Sequence, residues 1–330
     1  MVRRRRRRRQ PAAAQPPELA QQQPGTDPLI LFDPRRPCAA CAAPETSTKH
    51  CPTCFGSGRE RTSLRDLWCP SPAFLVCGGP SLLTVDYGRL AERGIASLAV
   101  NNAAAIAPVR AMVYADPPEK FHHGVFFDPA IMKFAPHKHL ENRVRAKLAD
   151  GSFKLTAYRP CDCPSVWGYY RSATWDPDTF LMSESALWGN RKAAANMNGR
   201  PQILFTFFVG LRLLHYLGCP RVYLLGADFR MEPGFGYAWA PAESDKLIAG
   251  NNDHYRIASV MLAELKPRLD AAGFGVFNVN PESRLTVFPY VPFGEALADC
   301  RGAVPAGELD PAGYYTKDRD RKNGTDAGFG

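Results

Sequence analysis

The sequence predicts an α/β protein with a Rossmann-like, open and mostly parallel sheet that carries helices on both faces, plus a small N-terminal zinc-binding module. Three observations lead to this prediction. From Phe74 onward, short apolar runs alternate with helical patterns, several of those runs end in polar residues, and two Cys-x2-Cys pairs precede them. Alternation of strand and helix patterns is typical of parallel sheets with crossover helices.

The composition excludes several classes of protein. Of the 330 residues, 45% are hydrophobic and 22% are charged, which is typical of globular chains and unlike collagen or a wholly disordered protein. The net charge is +9, but the run Arg3–Arg9 supplies seven of these charges and leaves +2 for the rest. No apolar run of transmembrane length is present, and no apolar core of a signal peptide follows the arginines. We therefore expect a cytoplasmic protein without a membrane span.

Changes in composition divide the chain into four segments. We expect residues 1–36, which hold the arginine run and a Pro/Gln-rich stretch, to form a disordered tail. Residues 37–70 would form the zinc module, and residues 71–301 the Rossmann-like domain. Residues 302–330 are rich in Gly, Asp and Lys, and we expect a loose C-terminal tail there.

Apolar patterning places the elements of the main domain. Buried strands are predicted at residues 74–77, 96–100, 111–115, 222–225 and 276–279. Residues 202–217 are apolar on nearly all sides, so we expect a helix buried against the sheet and ended by Gly218. Amphipathic segments predict further helices around residues 87–93 and at 254–271.

Four cysteines have the spacing of a zinc site. Cys38-x2-Cys41 and Cys51-x2-Cys54 are nine residues apart, which brings four thiolates within reach of one tetrahedral ion. The segment has too few apolar residues for a core, so metal binding would supply its folding free energy. We predict a structural Zn²⁺ held by these four cysteines. The second pair also resembles a half-repeat of the zinc region of J-domain chaperones, and the alternative is two thiol pairs without metal.

A glycine-rich turn follows the first predicted strand. Gly78-Gly79-Pro80-Ser81 would expose backbone N–H groups without obstruction by side chains, and a helix N-terminus behind such a turn attracts phosphate. The alternative is a turn with no ligand. Polar residues also follow later strands, with Asn101 after the second and Asp116 after the third. Ligands of open α/β sheets bind at this edge.

The order of these motifs resembles a known family. The succession from the glycine turn through Asn101, Asp116, Leu217-Gly218 and Val222 to Phe229 resembles the bacterial sialyltransferases of glycosyltransferase family 42. It resembles more loosely the DUF115 group, which includes archaeal 6-hydroxymethylpterin diphosphokinases. The resemblance covers about residues 73–290. It implies an inverting transferase that uses a nucleotide-activated sugar and no catalytic metal.

The resemblance also implies which residues bind the nucleotide. Asp116 lies at or beside a second asparagine position of the family, Thr206 corresponds to a hydroxyl residue, and Gly78 stands where the family has an asparagine. The implied nucleotide-binding residues are Gly78, Gly79, Ser81, Asn101, Asp116 and Thr206.

Three further residues would carry the chemistry. The resemblance makes His254 the general base that takes the proton of the acceptor hydroxyl. Tyr237 and Arg230 would stabilise the departing phosphate, although the family has a tyrosine in place of Arg230. The alternative interpretation makes His254 an N-terminal residue of a helix that follows Asn251-Asn252-Asp253.

Three functions are consistent with these features. The first is transfer of a sugar from a nucleotide-activated donor to an acceptor hydroxyl. The acceptor could be a modified base in DNA or another polyanion, because basic arms such as Arg3–Arg9 and zinc modules bind nucleic acid. The second is ATP-dependent diphosphate transfer, with Mg²⁺ held by Asp116, Asp228 and Asp253. The third is a non-catalytic nucleic-acid-binding protein that retains the fold.

Overall fold

The computed structural model describes residues 31–41, 58–148, 152–170, 175, 177–181, 205–240 and 244–302. The strands of these ranges, in chain order, are β1 Leu31–Pro37, β2 Arg59–Thr62, β3 Ala73–Val76, β4 Ala96–Val100, β5 Ala111–Val113, β6 Met132–Pro136, β7 Arg145–Lys147, β8 Phe153–Leu155, β9 Val166–Tyr169, β10 Arg221–Leu225 and β11 Gly275–Asn278. The α-helices are α1 His123–Phe127, α2 Thr206–Tyr216, α3 Asp245–Ala271 and α4 Phe293–Cys300.

One nine-stranded sheet forms the centre of the molecule, with the strand order β11-β10-β3-β4-β5-β6-β9-β1-β2. The seven strands from β11 to β9 are joined by parallel pairings, whereas β1 pairs antiparallel with both β9 and β2. Strands β7 and β8 form a separate antiparallel hairpin. The predicted fold class, an open and mostly parallel α/β sheet, is therefore confirmed.

The strand order reverses beside β3. From β3 the chain proceeds through β4 and β5 to β6 in one direction, while β10 and β11 lie on the other side of β3. In open α/β sheets such a reversal leaves a crevice at the carboxyl ends of the strands. The ends of β3, β4, β5 and β10 surround this crevice, so the loops that follow them lie close together.

Two apolar cores lie on opposite faces of the sheet. In β3, Leu75 belongs to one core, and Phe74 and Val76 belong to the other. Helices α2 and α3 cover the Leu75 face, while α1, α4 and several short 3-10 segments cover the opposite face. Alternation of side chains along each strand thus buries both faces of the sheet.

Helix α2 explains the long apolar run that the sequence contains. Nine of its eleven residues are buried, because the helix packs between the sheet and the rest of the first core. At Gly210 a Cβ would lie 2.7 Å from Cδ1 of Leu75, so the absence of a side chain allows close approach to β3. The described part of residues 202–217 therefore forms the predicted buried helix.

Two predicted helices differ from the structure. The segment around 87–93 forms a 3-10 helix, Tyr87–Ala91, preceded by another, Pro80–Thr84. Val85 and Gly88 disfavour a continuous α-helix there. The second difference concerns α3, which begins at Asp245 rather than at residue 254. The side chain of Ser244 caps it by accepting the N–H of Leu247 at 3.3 Å.

The sheet begins earlier in the chain than expected. Strand β1 lies at the end of the range 1–36 assigned to a disordered tail, and β2 lies inside the range 37–70 assigned to the zinc module. Both strands pair at the far edge of the sheet. The boundary of the main domain at residue 71 is therefore corrected, because the antiparallel pairing with β9 extends the sheet to residue 31.

The cysteine pairs belong to the connection between these two strands. Cys38 is buried and its N–H donates to the carbonyl of Gly58 at 2.9 Å, which closes the base of the connection. The N–H of Cys41 donates to the carbonyl of Cys38 at 3.0 Å. Cys51 and Cys54 lie outside the described residues, as do Arg3–Arg9 and residues 303–330. The zinc site and the basic arm therefore remain predictions, and none of the helices described is both long and apolar enough to cross a membrane.

A buried histidine makes the stability of the fold depend on pH. His215 lies at the end of α2 against Phe274, with ring centroids 5.1 Å apart, and its Nδ1 has no hydrogen-bond partner among the described residues. Burial, together with the nearby cations Arg212 and Arg65, lowers the pKa of His215 to about 4. The folded state therefore holds this imidazole neutral, whereas the unfolded chain protonates it below about pH 6.5.

We expect the free energy of unfolding to decrease as pH falls from 6.5 towards 4, because the unfolded state binds the extra proton in this window. At pH 5 this single group costs about 2 kcal/mol relative to pH 8. His215→Phe removes the titration and keeps a ring against Phe274, so urea unfolding at pH 8 and pH 5 should differ less for this variant than for the wild-type protein. Equal pH dependence of the two proteins would contradict the assignment.

Candidate functional site

A cavity of about 500 Å³ lies in the crevice beside β3. The ends of four parallel strands, the N-terminus of α2 and one face of α3 line it. Its wall contains eight of the nine residues predicted to bind the nucleotide or carry the chemistry: Gly78, Gly79, Asn101, Asp116, Thr206, Arg230, Tyr237 and His254. Residues separated by up to about 180 positions in sequence thus meet around one space.

The glycine turn does not form the expected phosphate cradle. The N–H of Gly79 donates to the carbonyl of Gly226 at 2.9 Å, and the N–H of Ser81 donates to the carboxylate of Asp228 at 3.0 Å. The N–H of Leu82 donates to the carbonyl of Gly79 at 3.0 Å. A 3-10 segment follows the turn, so no α-helix dipole points at it. Most of the N–H groups that could hold a phosphate are therefore already used inside the protein.

Ser81 lies outside the cavity lining, because Asp228 takes up both its donors. The carboxylate of Asp228 accepts the hydroxyl and the N–H of Ser81, and it accepts Nδ2 of Asn280 at 2.8 Å. Only 3% of Asp228 is exposed. The residue therefore binds the loop after β3 to the loops after β10 and β11. The predicted contact of Ser81 with the nucleotide is corrected to a structural contact.

Asn101 occupies an unusual backbone conformation at the end of β4. Its φ is 55°, and Phe229, which also lines the cavity, has a φ of 52°. Left-handed backbone is costly for residues other than glycine, and it concentrates at functional sites. The side-chain Oδ1 of Asn101 is buried and has no hydrogen-bond partner among the described residues. It is available to accept a hydrogen bond from a bound molecule.

Asp116 stands at the mouth of the cavity with a partner of opposite charge. Its carboxylate is 3.4 Å from Nζ of Lys120, and both side chains are more than half exposed. Asn102 holds the segment that carries Lys120, since its side chain donates to the carbonyl of Lys120 at 3.1 Å and accepts the N–H of His122 at 3.1 Å. Lys120 thus reduces the negative field that Asp116 presents to an anionic ligand.

Arg230 contributes a cation to the cavity wall. Its guanidinium lies 4.8 Å from the ring centroid of Phe235 and 3.7 Å from the exposed carboxylate of Glu282. Its Nε is buried and has no hydrogen-bond partner among the described residues. A planar cation with a free N–H is suited to phosphate oxygens.

Two asparagines bind the loop of Arg230 and Tyr237 to helix α3. Asn252 accepts the N–H of Met231 and donates to its carbonyl, both at 2.8 Å. Asn251 is hydrogen-bonded to the phenol of Tyr237. Burial raises the pKa of Tyr237, while the bond from Asn251 lowers it, and the net effect is an increase. The phenol is therefore protonated at neutral pH and can donate a hydrogen bond.

His254 lies in the cavity wall because α3 turns one face towards it. Asn251, His254 and Tyr255 are spaced three and four residues apart, and all three line the cavity. The interpretation of His254 as an N-terminal residue of its helix is wrong, because nine residues of α3 precede it. The asparagines before it bind the neighbouring loop rather than cap the helix.

The N-terminus of α2 faces the same space. Phe205, Thr206 and Phe207 line the cavity, and no side chain of the described residues caps this end of the helix. The first N–H groups of a helix lack acceptors within it, and they carry partial positive charge. Behind them, rings of Phe205, Phe207, Phe229 and Tyr255 pack at centroid distances of 5.3 to 5.9 Å. This aromatic floor is apolar, and burial raises the pKa of Tyr255 so that its phenol stays neutral.

The three aspartates considered as Mg²⁺ ligands do not form one group. Asp228 is buried under the glycine turn, and Asp116 is paired with Lys120 at the mouth. Asp253 lies outside the cavity lining and pairs with Arg256 at 2.8 Å on the surface of α3. Within the part of the chain that the structure describes, no three His, Cys, Asp or Glu residues could hold one ion.

The sequence analysis missed three residues that shape the site. Lys120 and Trp239 line the cavity, and Asn252 fixes its loop to α3. The asparagine pair 251–252 was taken for helix caps, because the local pattern of Asn before an amphipathic run is typical of an N-terminus. Lys120 had a weak signal as a cation four residues after Asp116, and Trp239 had none.

The fold and the cavity define an α/β protein with a candidate ligand site at the carboxyl edge of a parallel sheet. No protein-family model matches the sequence, and no curated protein matches it. The sialyltransferase CstII from Campylobacter jejuni, in complex with cytidine-5'-monophosphate, is 13% identical over 67% of this chain and 84% of that chain, with a TM-score of 0.34.

Two further solved structures have similar sequence identities and TM-scores. CST-II in complex with a trisaccharide acceptor and CMP is 12% identical over 72% of this chain and 90% of that chain, with a TM-score of 0.37. The MAf glycosyltransferase from Magnetospirillum magneticum AMB-1 is 14% identical over 78% of this chain and only 40% of that chain, with a TM-score of 0.38. At these identities and TM-scores no role of a residue follows from the likeness.

Two glycine substitutions test how tightly the turn is packed. At Gly79 a Cβ would lie 2.5 Å from Oδ2 of Asp228 and 2.6 Å from the carbonyl oxygen of Gly226. Gly79→Ala should therefore destabilise the protein by about 1–3 kcal/mol in urea unfolding. Gly250→Ala is the matched control, because it lies in α3 with no atom within 4 Å of the added Cβ. Gly250→Ala should stabilise the fold slightly, by about 0.5–1 kcal/mol. Similar changes in unfolding free energy for both substitutions would contradict the close packing at Gly79.

Asn252 provides a second test, of the connection between the loop and α3. Asn252→Ala removes both bonds to Met231, whereas Asn252→Asp keeps only the acceptor. We expect limited proteolysis within residues 229–240 to be fastest for the alanine variant and intermediate for the aspartate variant. Arg256→Ala breaks only an exposed ion pair on the same helix and should leave the rate unchanged. Equal cleavage rates in all four proteins would show that Asn252 does not hold the loop.

Proposed function

We propose that the protein transfers a sugar from a nucleotide-activated donor to an acceptor hydroxyl, with inversion at the anomeric carbon. One observation carries this proposal. A single cavity brings together a histidine, a phenol that stays protonated, a guanidinium with a free N–H and an uncapped helix N-terminus: His254, Tyr237, Arg230 and the start of α2. These are the groups that a transfer with a phosphate leaving group requires.

The phosphate of the donor would bind between α2 and Arg230. Most N–H groups of the glycine turn are used within the protein, and the carboxylate of Asp228 beneath them repels anions. The N-terminus of α2, the hydroxyl of Thr206 and the guanidinium of Arg230 offer positive charge and donors on the other side. The nucleoside would then lie towards Asn101 and Asp116, where a buried oxygen and a carboxylate can accept hydrogen bonds from it.

The reaction follows from this arrangement. The acceptor oxygen attacks the anomeric carbon while His254 takes its proton, and the bond from that carbon to the phosphate oxygen breaks. The negative charge that develops on the leaving phosphate is stabilised by Arg230 and by a hydrogen bond from the protonated phenol of Tyr237. Asn251 orients that phenol, and the aromatic floor keeps water away from the reacting carbon.

Two measurements test the proposal. First, a thermal-shift screen with CMP, UDP, GDP, ADP and ATP should identify a nucleotide that raises the melting temperature. Second, the matching nucleotide sugars are assayed for transfer with wild-type protein and variants. His254→Ala should lower kcat by about 10²- to 10⁴-fold with little change in nucleotide affinity. Arg230→Ala should lower both kcat and affinity, because its cation contacts the phosphate in the ground state as well.

Asp253→Asn is the matched control, because it changes the residue next to His254 but lies outside the cavity lining. Full activity of this variant, and activity that persists in EDTA, would support sugar transfer. Loss of activity in EDTA together with diphosphate transfer from ATP would support the diphosphokinase instead. Unchanged kcat of His254→Ala would contradict its role as general base.

A further inference from the structure

Two stacked aromatic rings form part of the cavity wall above the glycine turn. The ring centroids of Tyr237 and Trp239 are 4.9 Å apart and their planes differ by 6°, and both residues line the cavity. A stacked pair keeps an outer face on each ring, and such a face attracts a third flat ring by dispersion and electrostatics. Trp239 is half-buried, so its indole is partly open to the cavity rather than enclosed in the core.

The indole occupies space that a side chain at residue 78 would otherwise fill. At Gly78 a Cβ would lie 2.5 Å from Cη2 and 2.7 Å from Cζ3 of Trp239, and 3.6 Å from Cδ1 of Tyr237. Any residue larger than glycine would displace the indole. The glycine at this position is therefore explained by the presence of Trp239, and the two positions act as one unit.

Backbone hydrogen bonds fix the indole in place. The N–H of Ala238 donates to the carbonyl of Gly78 at 2.9 Å, which ties the segment to the turn. Tyr237 and Ala240 exchange a reciprocal pair of backbone bonds at 2.8 and 3.2 Å, which closes a tight turn around Trp239. A ring held in this way loses little conformational entropy when a ligand stacks on it.

The neighbouring wall indicates the kind of ring that fits. Asn101 and Asp116 line the same cavity, and Oδ1 of Asn101 is a buried acceptor with no hydrogen-bond partner among the described residues. A nucleobase combines a flat π surface with N–H donors, whereas a pyranose has hydroxyl groups and no π surface. An aromatic face and an unsatisfied acceptor in one cavity are therefore complementary to a base.

We propose that Trp239, for which the absence of a side chain at Gly78 leaves room, stacks on the base of the nucleotide donor. This inference rests on the proposed function only for the presence of a nucleotide in the cavity. It does not require that a sugar be transferred, so binding alone can test it.

Binding of nucleoside monophosphates to Trp239→Ala and Trp239→Phe, measured by calorimetry, tests the proposal. The probes are CMP, UMP, GMP and AMP, and the control probe is ribose 5-phosphate, which has the same sugar and phosphate but no base. Trp239→Ala should weaken binding of the preferred nucleotide by roughly 5- to 150-fold, which is the range of base–aromatic stacking. Trp239→Phe should retain part of the affinity, and the affinity for ribose 5-phosphate should not change.

Other outcomes overturn the proposal. Equal weakening of the nucleotide and of ribose 5-phosphate would mean that the indole only maintains the shape of the cavity. Unchanged affinity of Trp239→Ala for all four nucleoside monophosphates would mean that the base does not stack on Trp239. If the wild-type protein transfers sugar but Trp239→Ala binds nucleotides as tightly as the wild-type protein does, the proposed function stands and this inference is refuted. If nucleotide binding depends on Trp239 but no sugar transfer is observed, this inference stands and the proposed function is refuted.

Discussion

The arrangement of the cavity depends on one buried carboxylate. Asp228 follows β10, accepts two donors of Ser81 from the loop after β3 and accepts Asn280 from the loop after β11. Three loops that are far apart in sequence are therefore joined at one side chain with 3% exposure. Oδ1 accepts both the hydroxyl of Ser81 and the amide of Asn280, so removing both donors would leave this buried oxygen without a hydrogen bond, which costs more than an ordinary hydrogen bond contributes.

The same carboxylate also affects the electrostatic potential beside the glycine turn. It places negative charge beneath the glycine turn, and its field together with burial raises the pKa of the Cys77 thiol, which therefore stays neutral. The N-terminus of α2 and the guanidinium of Arg230, which line the same cavity, present positive charge. In the proposed binding mode, the phosphate of the ligand would therefore lie towards α2 and Arg230 rather than towards the turn.

The sequence predicted the cavity better than it predicted the contacts inside it. Asn101 and Asp116 were placed correctly at the cavity because parallel strands bring their carboxyl ends to one edge, which is a property of the fold class. The partner of Ser81 lies 147 residues away, and no local pattern specifies such a pairing. For the same reason Asn252 was mistaken for a cap, since its bonds to Met231 span 21 residues and cross between two elements.

The connection that carries the cysteines joins β1 to β2, and β2 is the outermost strand of the sheet. Six strand spacings separate β2 from β3, and at about 4.8 Å each they amount to roughly 29 Å across the sheet. A compact molecule bound in the cavity would therefore not reach Cys38. Only an extended molecule, such as a polymer chain, could contact both the cavity and the edge of the sheet that carries the cysteines.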